Sequence, residues 1–386
     1  MESEAHRGDL PAVEMLARLM VRDDAVRGPR VAEQMLQSYV DQLWRCGWQP
    51  AELVRQARRL ATVAAAQIVE LAIIADHEGR TGQALDPRWA AQLRELTQRN
   101  VRTRDGWLEH WRRTRGHEEA WALVQVARAM AALGHLPILE TLIPPPGRPH
   151  DAVGGVPPAP ETDDPVLRRV RKLLTKAEST TYDDEAASLT AKAHELMTKH
   201  TIDQALLDGG GPVEQPRTMR VPIDAPYADG KSYLLQVVAA GSRCRAIRHD
   251  GLDLSSVVGH PDDLRGVDLL FTSLLVQAQH SLAWADGGAG TRTRSQSYRS
   301  AFYRSYAARI GERLAAATED VLVEAGTGAH LPVLAAREQS VDAAFDDLFG
   351  ATVTSSAVRG GYDAMGAHHG RRAADDARFG SDVIAG

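Results

Sequence analysis

Residues 144–165, PPPGRPHDAVGGVPPAPETDDP, carry eight prolines and three glycines and hardly any large apolar side chain. Proline fixes φ and withholds the amide N–H that helix and sheet both use, and a segment this poor in apolar groups cannot bury a core. The stretch is expected to be a linker, semi-rigid where proline dominates. Whatever folds must fold on either side of it, and 386 residues leave room for two or three domains.

Residues 1–143 read as a helical domain. Apolar side chains recur at helical spacing, Val31, Met35, Tyr39 and Leu43, then Leu53, Ala57, Leu60 and Ala64, with no strand alternation between them. Six of the seven tryptophans (Trp44, Trp48, Trp89, Trp107, Trp111 and Trp121) fall here, and large aromatics at such spacing point to core. LWRCGWQPAEL is a helix-to-helix corner by its chemistry: Gly47 suits a left-handed C′ position, and Pro50 suits the first turn of the next helix.

After the linker, residues 166–208 are expected to form a helical hairpin. Asp164 can cap a helix starting at Pro165, with Leu167, Val170, Leu174 and Ala177 as its apolar stripe. Beyond the turn ESTTY, Asp183, Asp184 and Glu185 load the first turn of a second helix, which buries Ala186, Leu189, Ala193, Leu196 and Met197 and stops at DGGG. Over 217–285 the period changes to a small βαββα unit: a strand at MRVPI, a helix at SYLLQVVAAG, a β-hairpin turning on Asp250-Gly251, and a helix from about Asp262 to Trp284. The C-terminal region, 295–380, is helical, with Tyr298, Phe302, Tyr306 and Ile310 in one row and Gly366, Gly370, Ala373 and Ala377 in another. Small residues so spaced admit another helix closely. The fold class is α+β, mostly helical.

Composition limits the function. With 44% hydrophobic and 25% charged residues the chain is an ordinary globular one. A formal charge of −6 means that any attraction to nucleic acid must be local. The cysteines, Cys46 and Cys244, lie too far apart in sequence to suggest a disulfide framework or a cysteine-rich zinc site. There is no basic leader with an apolar run and no apolar stretch approaching the ~18 residues of a membrane span, so the expected location is the cytoplasm. All five lysines fall between Lys172 and Lys231.

Three chemistries are candidates. Arg168, Lys172 and Lys176 are spaced i, i+4, i+8, with Arg169 and Arg171 nearby, so that most of the positive charge faces away from the apolar stripe; such a face can track phosphates. On the second helix Lys192 and Lys199 make an outward row with Glu195. The competing explanation is a solvated helix face, since residues 166–200 hold seven Lys or Arg against five acids. A metal site is the second candidate. HELMTKH resembles a zinc-protease helix, but His200 follows His194 by six residues, not four, and lies about 240° round the helix. His368 and His369 are adjacent and point about 100° apart, so a zinc site would need ligands assembled from elsewhere. The third is a phosphate loop at APYADGKSY, which lacks its first glycine and has Pro226 where an N–H is wanted, with Asp229 better placed as a helix N-cap. No nucleophile elbow or activated cysteine is legible.

The hairpin also resembles the hallmark of the bacterial and phage domain-of-unknown-function 2786 family. The likeness is carried by VRKLLTKAEST, with Lys172, Leu173, Leu174, Ala177, Glu178 and Ser179, and by EAASLTAKAHELMTKHTID, with Glu185, Ala186, Ala191, Ala193, Leu196 and Met197. LWRCGWQPAEL and SSVVGHPDDLRGVDLLFTSLLVQAQ are similar to the long, actinobacterial-type members. The resemblance implies an architecture and supplies neither an activity nor catalytic residues. The combined expectation is a non-enzymatic protein that binds nucleic acid, or a nucleic-acid-associated partner, through the hairpin, needing no cofactor. The alternatives are a zinc-dependent hydrolase with histidines assembled by the fold, and a protein-interaction scaffold.

Overall fold

Gly47 shows how the first half is built. It takes φ +83° just after a helix ends at Arg45, and a Cβ there would sit 2.8 Å from the Glu140 carbonyl oxygen, so only glycine lets the chain turn against residues 139–140. The next helix opens with Pro50 in its first turn and a capping box between Gln49 and Glu52. The computed structural model describes residues 27–80, 82–97, 106–147, 165–179, 192–201, 215–288, 295–324, 331–350 and 363–377. It divides into two compact units, Met1–Pro158 and Ala159–Gly386, at a point inside the proline-rich stretch.

The first unit contains α1 (Arg27–Arg45), α2 (Pro50–Leu60), α3 (Val63–Gly79), α4 (Pro87–Thr97), α5 (Trp107–Thr114) and α6 (Glu119–Leu133). Helix α3 touches each of the other five, which is why it is apolar nearly all round. Trp44 meets Trp89 edge to face at 5.1 Å and donates its indole N–H to Asp76, while Trp48 donates to the Pro137 carbonyl. Two expectations need correction. The buried stripe of α1 is Ala32, Leu36, Val40, Leu43 and Trp44; Val31 and Met35 lie on the solvent side, 41% and 49% exposed. Leu60 likewise faces outward. Five of the six tryptophans are core, but Trp121 is 38% exposed and stacks over Trp111 and His117 at the surface. The misplaced row on α1 arises because an apolar row one residue round the helix has almost the same periodicity.

The second unit begins with α7 (Pro165–Ser179) and α8 (residues 192–201). Glu178 and Ser179, expected in the turn ESTTY, still belong to α7, whereas residues 180–182 of that turn, the acids 183–185, Ala186, Leu189, DGGG and the cap Asp164 lie outside the described residues. Then follow β1 (Arg217–Pro222), α9 (Ala228–Gly241), β2 (Arg245–His249), β3 (Leu254–Gly259), α10 (Pro261–Gly288), α11 (Gln296–Glu324), α12 (Leu331–Phe349) and α13 (Ala364–Asp376). The sheet is antiparallel throughout, in order β1-β3-β2, with Arg217 opposite Gly259 and Arg245 opposite Val258. Successive side chains of a strand face opposite ways, so β3, buried at every position, is covered on both sides. Val341 and Phe345 of α12, a helix the sequence did not single out, supply part of that cover against Val258. The β2–β3 turn is longer than the expected tight one: the positive φ angles fall on Gly251 and Asp253, and residues 250–253 all lie outside the strands. Asp229 is not the N-cap of α9 either. Tyr227 caps it in the left-handed region, and Asp229, one residue inside, pairs with Arg248.

Helix α11 is the spine. Tyr298, Phe302, Tyr306 and Ile310 are all buried, as their spacing predicts. A Cβ at Gly230 would lie 2.6 Å from that of Tyr303, and one at Gly241 3.1 Å from that of Leu314, so α9 runs parallel to α11 in close contact. Gly366 and Gly370 of α13 press on the carbonyls of Tyr298 and Phe302 in the same direction. The small-residue stripe of the last helix is thus filled from within its own unit. Arg313 ties down the end of α13 by donating to the carbonyls of Ala374 and Ala377.

Candidate functional site

Helix α7 separates its two sides cleanly. Leu167, Val170 and Leu174 are buried against α10, while Arg168, Arg169, Arg171, Lys172 and Lys176 are all exposed. Arg169, Arg171 and Lys172 meet no carboxylate among the described residues. Like charges four apart on a helix repel, so the face is held by burial of its apolar side and not by its own charges.

The basic row expected on α8 is different. Lys192 and Lys199 each reach Glu195 at 2.8 Å, and this shared carboxylate cancels one of the two charges. Partial burial pushes the Glu195 carboxyl up, and the bonds from Lys192 and Lys199 outweigh it, leaving the group below the usual range. The opposite side of α8 buries Ala193, His194, Met197, Thr198 and Thr201. Met197 packs where a side chain on Gly266 would lie, so a glycine in α10 seats the hairpin.

A small cavity of about 20 Å³ lies where the end of α9 and the start of α10 meet the hairpin, with Leu167 of α7 and His194, Met197, Thr198, His200 and Thr201 of α8 on one side. Ser242, Arg243, Asp262 and Asp263 face them. Thr201 donates to Asp263 (Oγ1 to Oδ1 2.6 Å), and Arg337 of α12 approaches the other carboxylate oxygen at 3.5 Å. Burial raises the Asp263 carboxyl above its ordinary value, offset in part by Thr201, Arg337, His260 and Arg243. His260 meets Ser340 at 3.1 Å, and Ser340 donates to the Arg337 carbonyl. The Cys244 thiol, fully enclosed beside this group, is pushed well up by burial. His194, 3.4 Å from the Thr318 hydroxyl, is pushed down to about 4 by burial and by Arg243, so it is neutral at pH 7.

The histidines of the metal reading are divided. His194 and His200 line this cavity, whereas His368 is exposed on α13 and His369 bonds through Nδ1 to the Tyr298 hydroxyl at 2.5 Å. Among the described residues, no three His, Cys, Asp or Glu side chains gather as metal ligands. In the phosphate-loop candidate, Lys231 is buried and donates to the Asp224 carbonyl at 3.0 Å, so its amine closes the loop on itself. Thr201, Arg243, Asp263 and Arg337 were not legible as a group: Asp263 bonds to residues 62 earlier and 74 later in the chain. The only local trace is the acid pair in GHPDD, which reads as an ordinary helix start.

No described helix is long and apolar enough to cross a membrane. Residues 166–204 match the family described as Protein of unknown function (DUF2786). No curated protein and no solved structure matches the chain.

Proposed function

With residues 166–204 taken as a DUF2786 element, we propose that the protein binds nucleic acid by contacts between α7 and the phosphate backbone. One observation carries the reading: all five basic side chains of α7 are exposed, and Arg168, Arg169, Lys172 and Lys176 lie on the side away from Leu167, Val170 and Leu174. Arg168, Lys172 and Lys176 rise along one line at about 6 Å per step, and a polyanion laid on that line relieves their mutual repulsion. Positive side chains without aromatic or amide neighbours contact phosphates and do not read bases, so binding is expected to be sequence-tolerant. The whole chain carries −6, so the attraction is local to α7, and ordinary salt screens it beyond about 8–10 Å.

The test is a salt titration of binding to a duplex oligonucleotide and to a single strand. About four phosphate contacts give a slope of log K against log salt near −3.6 for duplex DNA. Arg168→Glu with Lys172→Glu and Lys176→Glu is expected to abolish binding while leaving the circular dichroism intact. Lys192→Ala with Lys199→Ala, which removes charges already shared with Glu195, is expected to change little. Equal binding by the triple variant and the native chain would end this reading.

A further inference from the structure

The apolar side chains that α1 turns to solvent are contiguous. Val31 and Met35 stand one turn apart and exposed, and with Ser38 and Tyr39 of the same helix and Met130 of α6 they line an open groove of about 360 Å³, wide enough to receive side chains from another helix. None of the residues lining it is charged, in a chain where 25% are. Single exposed apolar side chains are ordinary on a protein surface, but a continuous face without charge and with Met and Tyr at its centre has the composition of an interface core. The charges stand at its rim. Arg30 is exposed near the start of α1, and Asp41, about three turns on and therefore on the same flank of the helix, keeps 26% of its side chain in solvent.

We infer that the groove between α1 and α6 is a contact surface for a second copy of this chain, the two α1 helices packing antiparallel across a two-fold axis beside Met35. In such a pairing one patch meets itself, so it must be its own complement. An uncharged face satisfies that without setting like charges opposite each other, and Met35, unbranched and flexible, can enter the groove of the second copy while its counterpart enters the first. An antiparallel two-fold also keeps each flank on its own side, which brings Arg30 of one copy toward Asp41 of the other. Asp41 already accepts from Arg45 and Arg80, so this rim contact orients the copies and adds little affinity. Two helices from each copy make a small interface against the about 800 Å² per partner of a standard one, and the association is expected to be weak and reversible. The surface lies in the first unit and is independent of the α7 reading; a dimer carries two α7 faces whatever they bind.

The test uses the full chain. In sedimentation across concentrations from about 1 to about 100 μM, the native chain is expected to pass from monomer toward dimer. Met35→Glu sets two carboxylates face to face at the axis and is expected to weaken the association at least about tenfold, a difference of about 1.4 kcal/mol, with unchanged circular dichroism because the side chain is exposed in the single chain. A second measurement does not depend on that variant. In a Cys46→Ser background, Met35→Cys is expected to give a disulfide-linked dimer on mild oxidation, whereas Val63→Cys, at a side chain 78% exposed on α3 and outside the groove, is not. A chain that stays monomeric at every concentration, a dimer undiminished by Met35→Glu, or equal cross-linking through the two cysteines overturns the assignment. Capture of a different protein by a chain that is itself monomeric counts against it in the same way.

Discussion

Thr201, the last described residue of α8, donates its hydroxyl to Asp263 at the start of α10 across 2.6 Å, and both side chains are buried. This bond fastens the hairpin to the helix that packs under the sheet. Thr201→Val keeps the shape and removes the donor, leaving a buried carboxylate short of its nearest partner. A loss of about 1.5–3 kcal/mol in urea unfolding is expected. In combination with Asp263→Asn the losses should not add, because both changes break one bond; strict additivity would show that the bond contributes nothing.

Helix α13 lies so close to α11 that a Cβ on Gly370 would sit 2.9 Å from the Phe302 carbonyl carbon and nearer still to its oxygen. Gly370→Ala therefore has to push two backbones apart, with an expected cost of about 1–3 kcal/mol. Met365→Ala on the same helix, at a side chain 45% exposed, is expected to stay within about 0.5 kcal/mol of the native chain. Thermal unfolding of the two variants side by side checks the contrast.

Gly47 and Gly82 share a positive φ, +83° and +88°, but only Gly47 has backbone atoms where a Cβ would go. Gly82→Ala is expected to cost only the conformational term, about 1–2 kcal/mol. Gly47→Ala carries in addition the clash with residues 139 and 140 and should be the more damaging of the pair. Comparable losses in denaturant midpoint would contradict that account.

Acidification should weaken the second unit through His194. Its folded value, about 4, lies below the value of about 6.5 in an unfolded chain, so between these limits the unfolded state binds the extra proton. The stabilisation is whole above pH 6.5 and is lost as pH falls toward 4, amounting to on the order of 3 kcal/mol. Asp263 works in the opposite sense, because its raised carboxyl takes up a proton earlier in the folded state. His194→Gln cannot titrate, and the difference in unfolding free energy between pH 7 and pH 5 should shrink in that variant. A slope identical to that of the native chain would assign the pH dependence to other groups.

The readable parts of the fold are those whose cause is local. The corner at Gly47 and Pro50, the buried row Tyr298, Phe302, Tyr306 and Ile310, and the close-packing glycines of α13 each follow from backbone freedom or helical period, which a short window contains. Where two rows compete, as Val31 and Met35 do with Ala32 and Leu36 on α1, the period alone cannot choose, and neighbouring helices decide.

By itself, the sequence determined that a proline-rich stretch interrupts the chain, that most of the rest is helical, and that α7 is apolar on one side and basic on the other, because these depend on residue type and spacing. Only the tertiary structure decided that Lys192 and Lys199 share Glu195, that the five basic side chains of α7 are exposed, and that Asp263 and Arg337 meet beside Thr201. Those outcomes depend on which distant side chains burial brings together. A buried charge finds its partner through space, and no local pattern carries that information.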